Sequence, residues 1–266
     1  MKRLLILIVF LLSITGFVSA QPPETEKSSQ VGVGLGYSFT GYREETVLPL
    51  GRYHNTLTFI INGNIEKGSF LNSFNLGFFR GKDAINAQPR NEYDRQPDVI
   101  SPYFEFYQIE NTFTRVYLEY ALDYRLWGNQ TFPGYLGGAI RGDVYAIETL
   151  NNILYLNYTG LVSFNLHASQ KWIINPKNNL LFSVSFPIVG YAVRPSFIGF
   201  SSWPLETGIV SLHNYRAVFG DLKYHHKFNS LISVQTGLGF ELSHIVFPRP
   251  RKDAAFRLNA GVAFTF

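Results

Sequence analysis

The chain of 266 residues contains no cysteine and a single methionine. Without thiols there are no disulfides, no thiolate metal sites and no cysteine to carry a lipid anchor. Beyond residue 20 no apolar run approaches the ~20 residues of a membrane-spanning helix. Charge is sparse at 16% and nearly balanced, with a net charge of +4. Removing Lys2 and Arg3 would lower that by two, so overall charge gives no argument for nucleic acid. No metal pattern is present. His225 and His226 are adjacent and point to opposite faces of an extended strand, which is poor ligand geometry. The glycines of Val33-Gly34-Leu35-Gly36 and Gly137-Gly138 lack the Lys-Ser/Thr and helix start of a phosphate loop. They suit close packing between strands instead. No pattern implies a cofactor, and no repeat at solenoid spacing occurs.

What the chain has is a secretory leader and a great deal of alternation. Lys2 and Arg3 precede an apolar stretch from Leu4 to Leu12, and Val18-Ser19-Ala20 is a small-residue cleavage site. Residues 1–20 are therefore expected to be a signal peptide. Residues 21–29 read as a polar, proline-containing periplasmic lead, and 30–266 as one domain. Aromatic residues make up 16% of the chain, including 24 Phe and 16 Tyr, beside 23 Gly. This hydrophobic material is spread at period two rather than gathered in blocks, as strands with one apolar face require.

Period two predicts ten strands. They are Gln30–Gly41, Tyr53–Asn64, Ser69–Arg80, Thr112–Trp127, Gly134–Ile147, Asn157–Ile173, Asn179–Val193, Asn214–Phe228, Leu231–Val246 and Ala254–Phe266. In the first, Val31, Val33, Leu35, Tyr37 and Phe39 share a face opposite Gly32, Gly34, Gly36, Ser38 and Thr40. In the fourth, Val116, Leu118, Tyr120, Leu122, Tyr124 and Leu126 oppose Arg115, Tyr117, Glu119, Asp123 and Arg125. The connections alternate between short and long, as in barrels with tight turns at one rim and loops at the other. The expected fold is all-β: a transmembrane antiparallel up-and-down β-barrel of about ten strands, with eight or twelve as the alternatives.

The end of the chain points the same way. Phe256, Leu258, Ala260, Val262, Phe264 and Phe266 fall on one face, and Arg257, Asn259, Gly261 and Thr265 on the other. A final alternating strand ending in Phe266 resembles the closing strand of bacterial outer-membrane β-barrels. That resemblance implies an outer-membrane location with both termini periplasmic. It also implies that Phe266 belongs to the signal read by the barrel insertion machinery. A soluble barrel or sandwich would turn its apolar face inward; the leader and Phe266 favour the membrane.

With the polar face inward, the lumen receives Arg115, Arg125, Arg141, Lys171, Lys223 and Arg257 against Glu119, Asp123, Asp143, Asp221 and Glu241, together with His54, His167 and His225. These charges nearly cancel. A ten-stranded barrel is only a little wider than the eight-stranded kind that side chains fill. The expectation is therefore a salt-bridged plug rather than a pore of one charge sign.

Catalysis has weak support. Some outer-membrane lipid hydrolases use His-x-Ser on one strand, and His167-Ala168-Ser169 has that spacing, with Ser163 and Asn165 on the same face. It points into the lumen, far from a lipid leaflet. Ser211-Leu212-His213 is better placed but reversed. Ten-stranded barrel proteases need paired aspartates and an Asp-His pair at the rim. Asp83, Asp94 and Asp98 share one long loop without such a pair or a histidine.

The connection from Gly81 to Asn111 carries Tyr103, Phe104 and Phe106, and that from Arg194 to His213 carries Phe197, Phe200 and Trp203. These aromatics are candidate partner-binding residues. Phe247-Pro248-Arg249-Pro250-Arg251-Lys252 forms a basic tip facing solvent or anionic head groups. Trp127 and Trp172 suit an interfacial girdle. The expected partners are outer-membrane lipid, the insertion machinery and a protein at the cell surface or in the membrane. The leading expectation is a non-enzymatic accessory, scaffold or structural surface protein. A small selective channel and a lipid-modifying enzyme using His167 and Ser169 are the alternatives.

Overall fold

The computed structural model describes residues 28–44, 51–84, 111–149, 156–195, 205–248 and 250–266. The expected signal peptide and most of the lead lie outside them. Eleven strand segments are present: β1 (Ser28–Glu44), β2 (Gly51–Lys67), β3 (Phe70–Ala84), β4 (Asn111–Trp127), β5 (Gly134–Thr149), β6 (Leu156–Asn175), β7 (Asn178–Pro195), β8 (Leu205–Ser211), β9 (Tyr215–Lys227), β10 (Ile232–Ile245) and β11 (Arg251–Thr265). All pairings are antiparallel, and each strand from β1 to β7 pairs with the next. β7 pairs with β8 along Val189–Pro195 and with β9 along Asn178–Ser185. β8 and β9 are thus two halves of one wall strand, broken at Leu212–Asn214. The pairing of β1 with β11 closes a transmembrane barrel of ten wall strands.

The expected strands coincide with the observed ones to within a few residues. One connection was misjudged. Arg194–His213 was expected to be a loop, whereas Leu205–Ser211 is strand. Its stretch Leu205-Glu206-Thr207-Gly208 carries only one apolar residue, so period two is invisible there. Its strand character comes from pairing with β7, not from its own propensity.

The short turns at one rim are built on asparagine and glycine. Asn129 Oδ1 accepts hydrogen bonds from the Thr131 backbone N–H at 3.0 Å and its hydroxyl at 2.8 Å. Asn175 Oδ1 accepts from the Lys177 N–H at 2.9 Å, and Asn229 Oδ1 from the N–H groups of Leu231 and Ile232. Such side chains mimic a backbone turn and shorten the connection. Gly68 has φ of 61° and Gly128 has φ of 87°, a region where a Cβ is strained. At the closure seam, Gly34 of β1 faces Gly261 of β11. A Cβ on Gly261 would lie 2.1 Å from the Val33 carbonyl oxygen, so the seam requires a bare backbone there.

Burial alternates with the sequence, but inside out relative to a soluble barrel. Leu35, Leu57, Leu118, Ile140, Val162 and Phe240 are exposed on the outer wall, while Arg115, Asp143, Arg141 and Glu241 are buried within it. An outer face of this composition needs an apolar medium, and a closed barrel satisfies every backbone group without water. Arginine introduced on that face should therefore cost free energy according to depth. Leu118→Arg, midway along β4, is expected to destabilise the barrel by about 2–4 kcal/mol, and Leu126→Arg near the turn rim by about 0–1 kcal/mol. Urea unfolding of the two variants refolded into phosphatidylcholine vesicles checks this; equal costs would mean the wall does not face hydrocarbon.

Candidate functional site

The lumen holds the chemistry-bearing residues. Within it two guanidinium groups and two carboxylates interlock. Asp143 accepts from Arg115 Nε at 2.8 Å and from Arg141 Nε at 2.7 Å. Glu241 accepts from Arg115 Nη2 at 2.8 and 2.9 Å, and from Arg141 Nη2 at 3.3 Å. Arg141 also reaches Glu119 at 3.4 Å. Arg115 stands on β4 and Glu241 on β10, which lie on opposite walls of the barrel. This contact therefore crosses the lumen. Arg115, Arg141, Asp143 and Glu241 are all no more than 3% exposed.

Aromatic rings fill the space between the charges. The Arg141 guanidinium lies 3.8 Å from the Phe219 ring centre, and that of Arg115 lies 4.6 Å from Tyr145. Cations over aromatic faces are attracted to the ring quadrupole, more strongly when desolvated. Phe79, Phe113, Tyr117 and Tyr145 form one buried cluster, with His54 stacked on Phe113 at 4.6 Å. Leu161, Ala192, Val210, Tyr215, Phe219 and Ile245 form a second. Two further contacts span the lumen: Arg257 Nη1 donates to the Tyr117 hydroxyl at 2.7 Å, and Lys223 Nζ to Asn75 Oδ1 at 2.5 Å. Arg257 also pairs with Asp221 at 3.1 Å.

Towards the short turns, Lys171 pairs with Glu66 at 2.7 Å, and the Tyr135 hydroxyl donates to the same carboxylate at 2.6 Å. Beside them a polar recess of about 60 Å³ is lined by Gln30, Asn64, Glu66, Lys171 and His225, among others. That is room for a few waters at most.

His167 and Ser169 are brought together, but around a third group. His167 Nδ1 lies 2.7 Å from Asp123 Oδ2, and Ser169 Oγ donates to that same oxygen at 3.0 Å. The serine proton is directed at the carboxylate, not at the imidazole, so the pair lacks the nucleophile–base hydrogen bond of acyl-transfer sites. Both side chains are buried. The reversed pair does make that bond, with Ser211 Oγ 3.0 Å from His213 Nε2 on the exposed outer surface. Among the described residues no carboxylate orients His213.

Other expected residues distribute as follows. Arg125 is half-buried near the turn rim. His225 is buried inside, while His226 bonds Asn178 across the sheet. Arg251, expected at an exposed basic tip, is buried and pairs with Asp253 at 2.8 Å, because it begins β11 on the inward parity. Trp127, expected in a girdle, donates to Gln170 Oε1 at 2.8 Å, whereas Trp172 packs on Phe132. Phe266 is exposed, and its N–H donates to the Ser29 carbonyl at 3.0 Å. Tyr103, Phe104, Phe106, Phe197, Phe200 and Trp203 lie outside the described residues, as do Asp94 and Asp98. Sequence reasoning missed Asn75, Glu66 and the inward aromatics Phe79, Phe113 and Phe219. Phe113 shares strand parity with Arg115, and Phe219 with Asp221 and Lys223, which is the signal the sequence offers for them.

No protein-family model matches the chain, and no curated protein matches its sequence. Among solved structures, the outer membrane protease OmpT from Escherichia coli aligns with a TM-score of 0.55 at 8% identity, covering 95% of this chain and 100% of that chain. The fold is that of an outer-membrane β-barrel. At that identity the likeness is one of fold alone. The translocator domain of the autotransporter NalP from Neisseria meningitidis also aligns, with a TM-score of 0.42 and 10% identity, over 98% of this chain and 95% of that one. Neisserial surface protein A aligns with a TM-score of 0.37 and 10% identity, over 91% and 100%.

Removing Glu241 leaves two buried guanidinium groups short of a counter-charge, and breaking a buried pair in this way costs about 3–5 kcal/mol. Glu241→Ala is therefore expected to lower barrel stability by that amount. Lys171→Ala, at the more exposed Glu66 pair, is expected to cost less. Urea unfolding in detergent compares them, and equal small losses would mean the central network is not the stabilising one.

Proposed function

We propose that this chain is a non-conducting barrel of the bacterial outer membrane that acts through its loop-end surface, as an accessory or scaffold subunit or a structural surface protein. One observation carries the reading: the Arg115–Glu241 contact joins opposite walls, and both groups are almost inaccessible to water. A solute path would have to break buried ion pairs, each costly to leave unmatched. In this reading residues 1–20 are removed as a signal peptide and both termini are periplasmic. Phe266 is read by the insertion machinery. Outer-membrane lipid surrounds the wall, and a protein partner meets the loops that carry Tyr103, Phe104, Phe106, Phe197, Phe200 and Trp203.

The channel alternative predicts stepwise current; the sealed barrel predicts none. In planar bilayers the purified chain is expected to give no conductance steps. The charge-balanced variant Arg115→Gly/Arg141→Gly/Asp143→Gly/Glu241→Gly is expected to give them. Steps from the unaltered chain would overturn the reading. Purification from outer membranes in mild detergent, followed by mass spectrometry, is expected to recover a stoichiometric protein partner. Its yield should fall when Phe200 and Trp203 are changed to Ser.

A lipid-hydrolase reading has one observation behind it, the Ser211–His213 hydrogen bond at the surface. It predicts ester turnover that is lost in Ser211→Ala. The lumen pair His167 and Ser169 supports it less, since the Ser169 hydroxyl donates to Asp123 rather than to His167 and both side chains are buried.

A further inference from the structure

One strand of the wall keeps a free edge. β8 bonds to β7 and, among the described residues, to no other strand. In that ladder Pro195 stands opposite Leu205, Val193 opposite Thr207 and Tyr191 opposite Ile209. The Ser211 N–H and carbonyl both turn away from β7, to Asn214 Oδ1 at 2.6 Å and to the Asn214 N–H at 3.0 Å. Backbone polar groups alternate between the two sides of a strand, so those of Leu205, Thr207 and Ile209 also point away from β7. Among the described residues none of these groups has a hydrogen-bond partner.

The neighbouring segment does not cover them. β10 ends at Ile245, and Phe247 packs against the buried inner cluster that holds Val210 and Phe219. Its ring lies against Gly208, where a Cβ would come within 2.8 Å of it, and its carbonyl accepts from Arg194 Nη1 at 2.8 Å. Pro248 follows and has no N–H to offer a ladder. Ile209 is 73% exposed and Leu205 41%.

Depth makes an open edge tolerable. The outward positions of β10 from Ile232 to Leu242 are apolar except for Thr236, and they span about 34 Å of strand at ~3.4 Å per residue. With a strand tilt of roughly 40° this is about 26 Å of height, close to the ~25 Å apolar band of membrane barrels. β8 begins beyond that band, because Asn214, which caps its Ser211 end, accepts from the Val246 N–H at 2.7 Å. It then follows β7 towards the long connections. Unpaired backbone is excluded from hydrocarbon but not from water.

The chemistry of the edge selects its occupant. β7 fits one side of β8 with Val189, Tyr191 and Val193 opposite Ser211, Ile209 and Thr207, and with Arg194 opposite Glu206, the one charge of β8. The free side asks for the same pattern. A second copy in the same membrane cannot supply it. The axis relating two such copies lies along the membrane normal, so their β8 strands would run the same way with opposite tilts and cross at about 80°.

We propose that the β8 edge binds an extended segment of a partner protein at the cell surface, taken up as an added antiparallel strand. That segment carries apolar residues opposite Thr207 and Ile209 and a lysine or arginine opposite Glu206. The proposal rests on the reading of the loop end as the acting surface and names the contact made there.

The probe is a dye-labelled peptide copying Val189–Pro195, followed by fluorescence anisotropy against the full chain in detergent micelles. It is expected to bind the protein and not empty micelles. N-methylation at the copies of Tyr191 and Val193 removes the N–H groups that face β8 and should weaken binding about tenfold, whereas N-methylation at the copies of Ala192 and Arg194 should change it less than about twofold. Thr207→Pro removes an edge N–H without touching the β7 ladder, and should weaken binding about fivefold. Glu206→Gln should weaken it about threefold. Mobility of unboiled samples on gels verifies that each variant is folded. Absence of binding, or equal losses from the two methylation patterns, would overturn the edge. Pairing of the chain with itself that Thr207→Pro abolishes would show a second copy there and overturn the partner assignment. A stoichiometric partner recovered from outer membranes and still retained by Thr207→Pro would overturn the edge while leaving the loop end as the acting surface.

Discussion

The pairing of β1 with β11 is the contact on which the rest of this molecule depends. In hydrocarbon an open strand edge leaves backbone N–H and C=O groups with no partner, at several kcal/mol each. Closure removes the edges, and here it runs continuously from Gln30 opposite Thr265 to Glu44 opposite Arg251. Gly34 and Gly261 let the two backbones approach. Closing with ten wall strands also sets the bore, and the bore decides what the lumen can be. At this width opposite walls come within reach of one arginine and one glutamate, as Arg115 and Glu241 show.

Filling that bore with charge needs near-complete pairing. A buried guanidinium or carboxylate is tolerable only when its partners are in place and well directed. Arg115 and Arg141 each contact both Asp143 and Glu241, and Phe219, Tyr145 and Tyr117 cover their faces. The arrangement works as a cross-brace as much as a plug, because it ties β4 and β5 to β10 through the centre. The same demand explains why Asp123 holds both His167 and Ser169: a buried carboxylate takes whatever donors its neighbours offer.

The outer wall follows a second rule, set by depth. Apolar residues occupy the band that meets hydrocarbon, aromatic residues such as Phe132, Trp172 and Phe228 sit near the short turns, and Arg216, His244 and Lys252 stand beyond Leu242 at the opposite rim. Inward and outward residues alternate along each strand, so one segment serves both rules at once. Arg251, Lys252 and Asp253 show it in three consecutive residues, pointing in, out and in.

Strand positions were legible from period two, because alternation is a property of neighbouring residues along one chain; which face turns outward, and so the barrel class, rested also on the leader and Phe266. The polar face of β4 already displayed Arg115, Tyr117, Glu119 and Asp123 in order. Which charge meets which was not legible, since Arg115 and Glu241 are 126 positions apart and their meeting depends on closure and bore. β8 was missed because its pattern is set by the partner strand, and Arg251 was misplaced because the start of β11 decides its parity. The sequence by itself determined an inside-out barrel with a polar interior; tertiary structure decided that ion pairs cross that interior, because only closure at a given width brings opposite walls into contact.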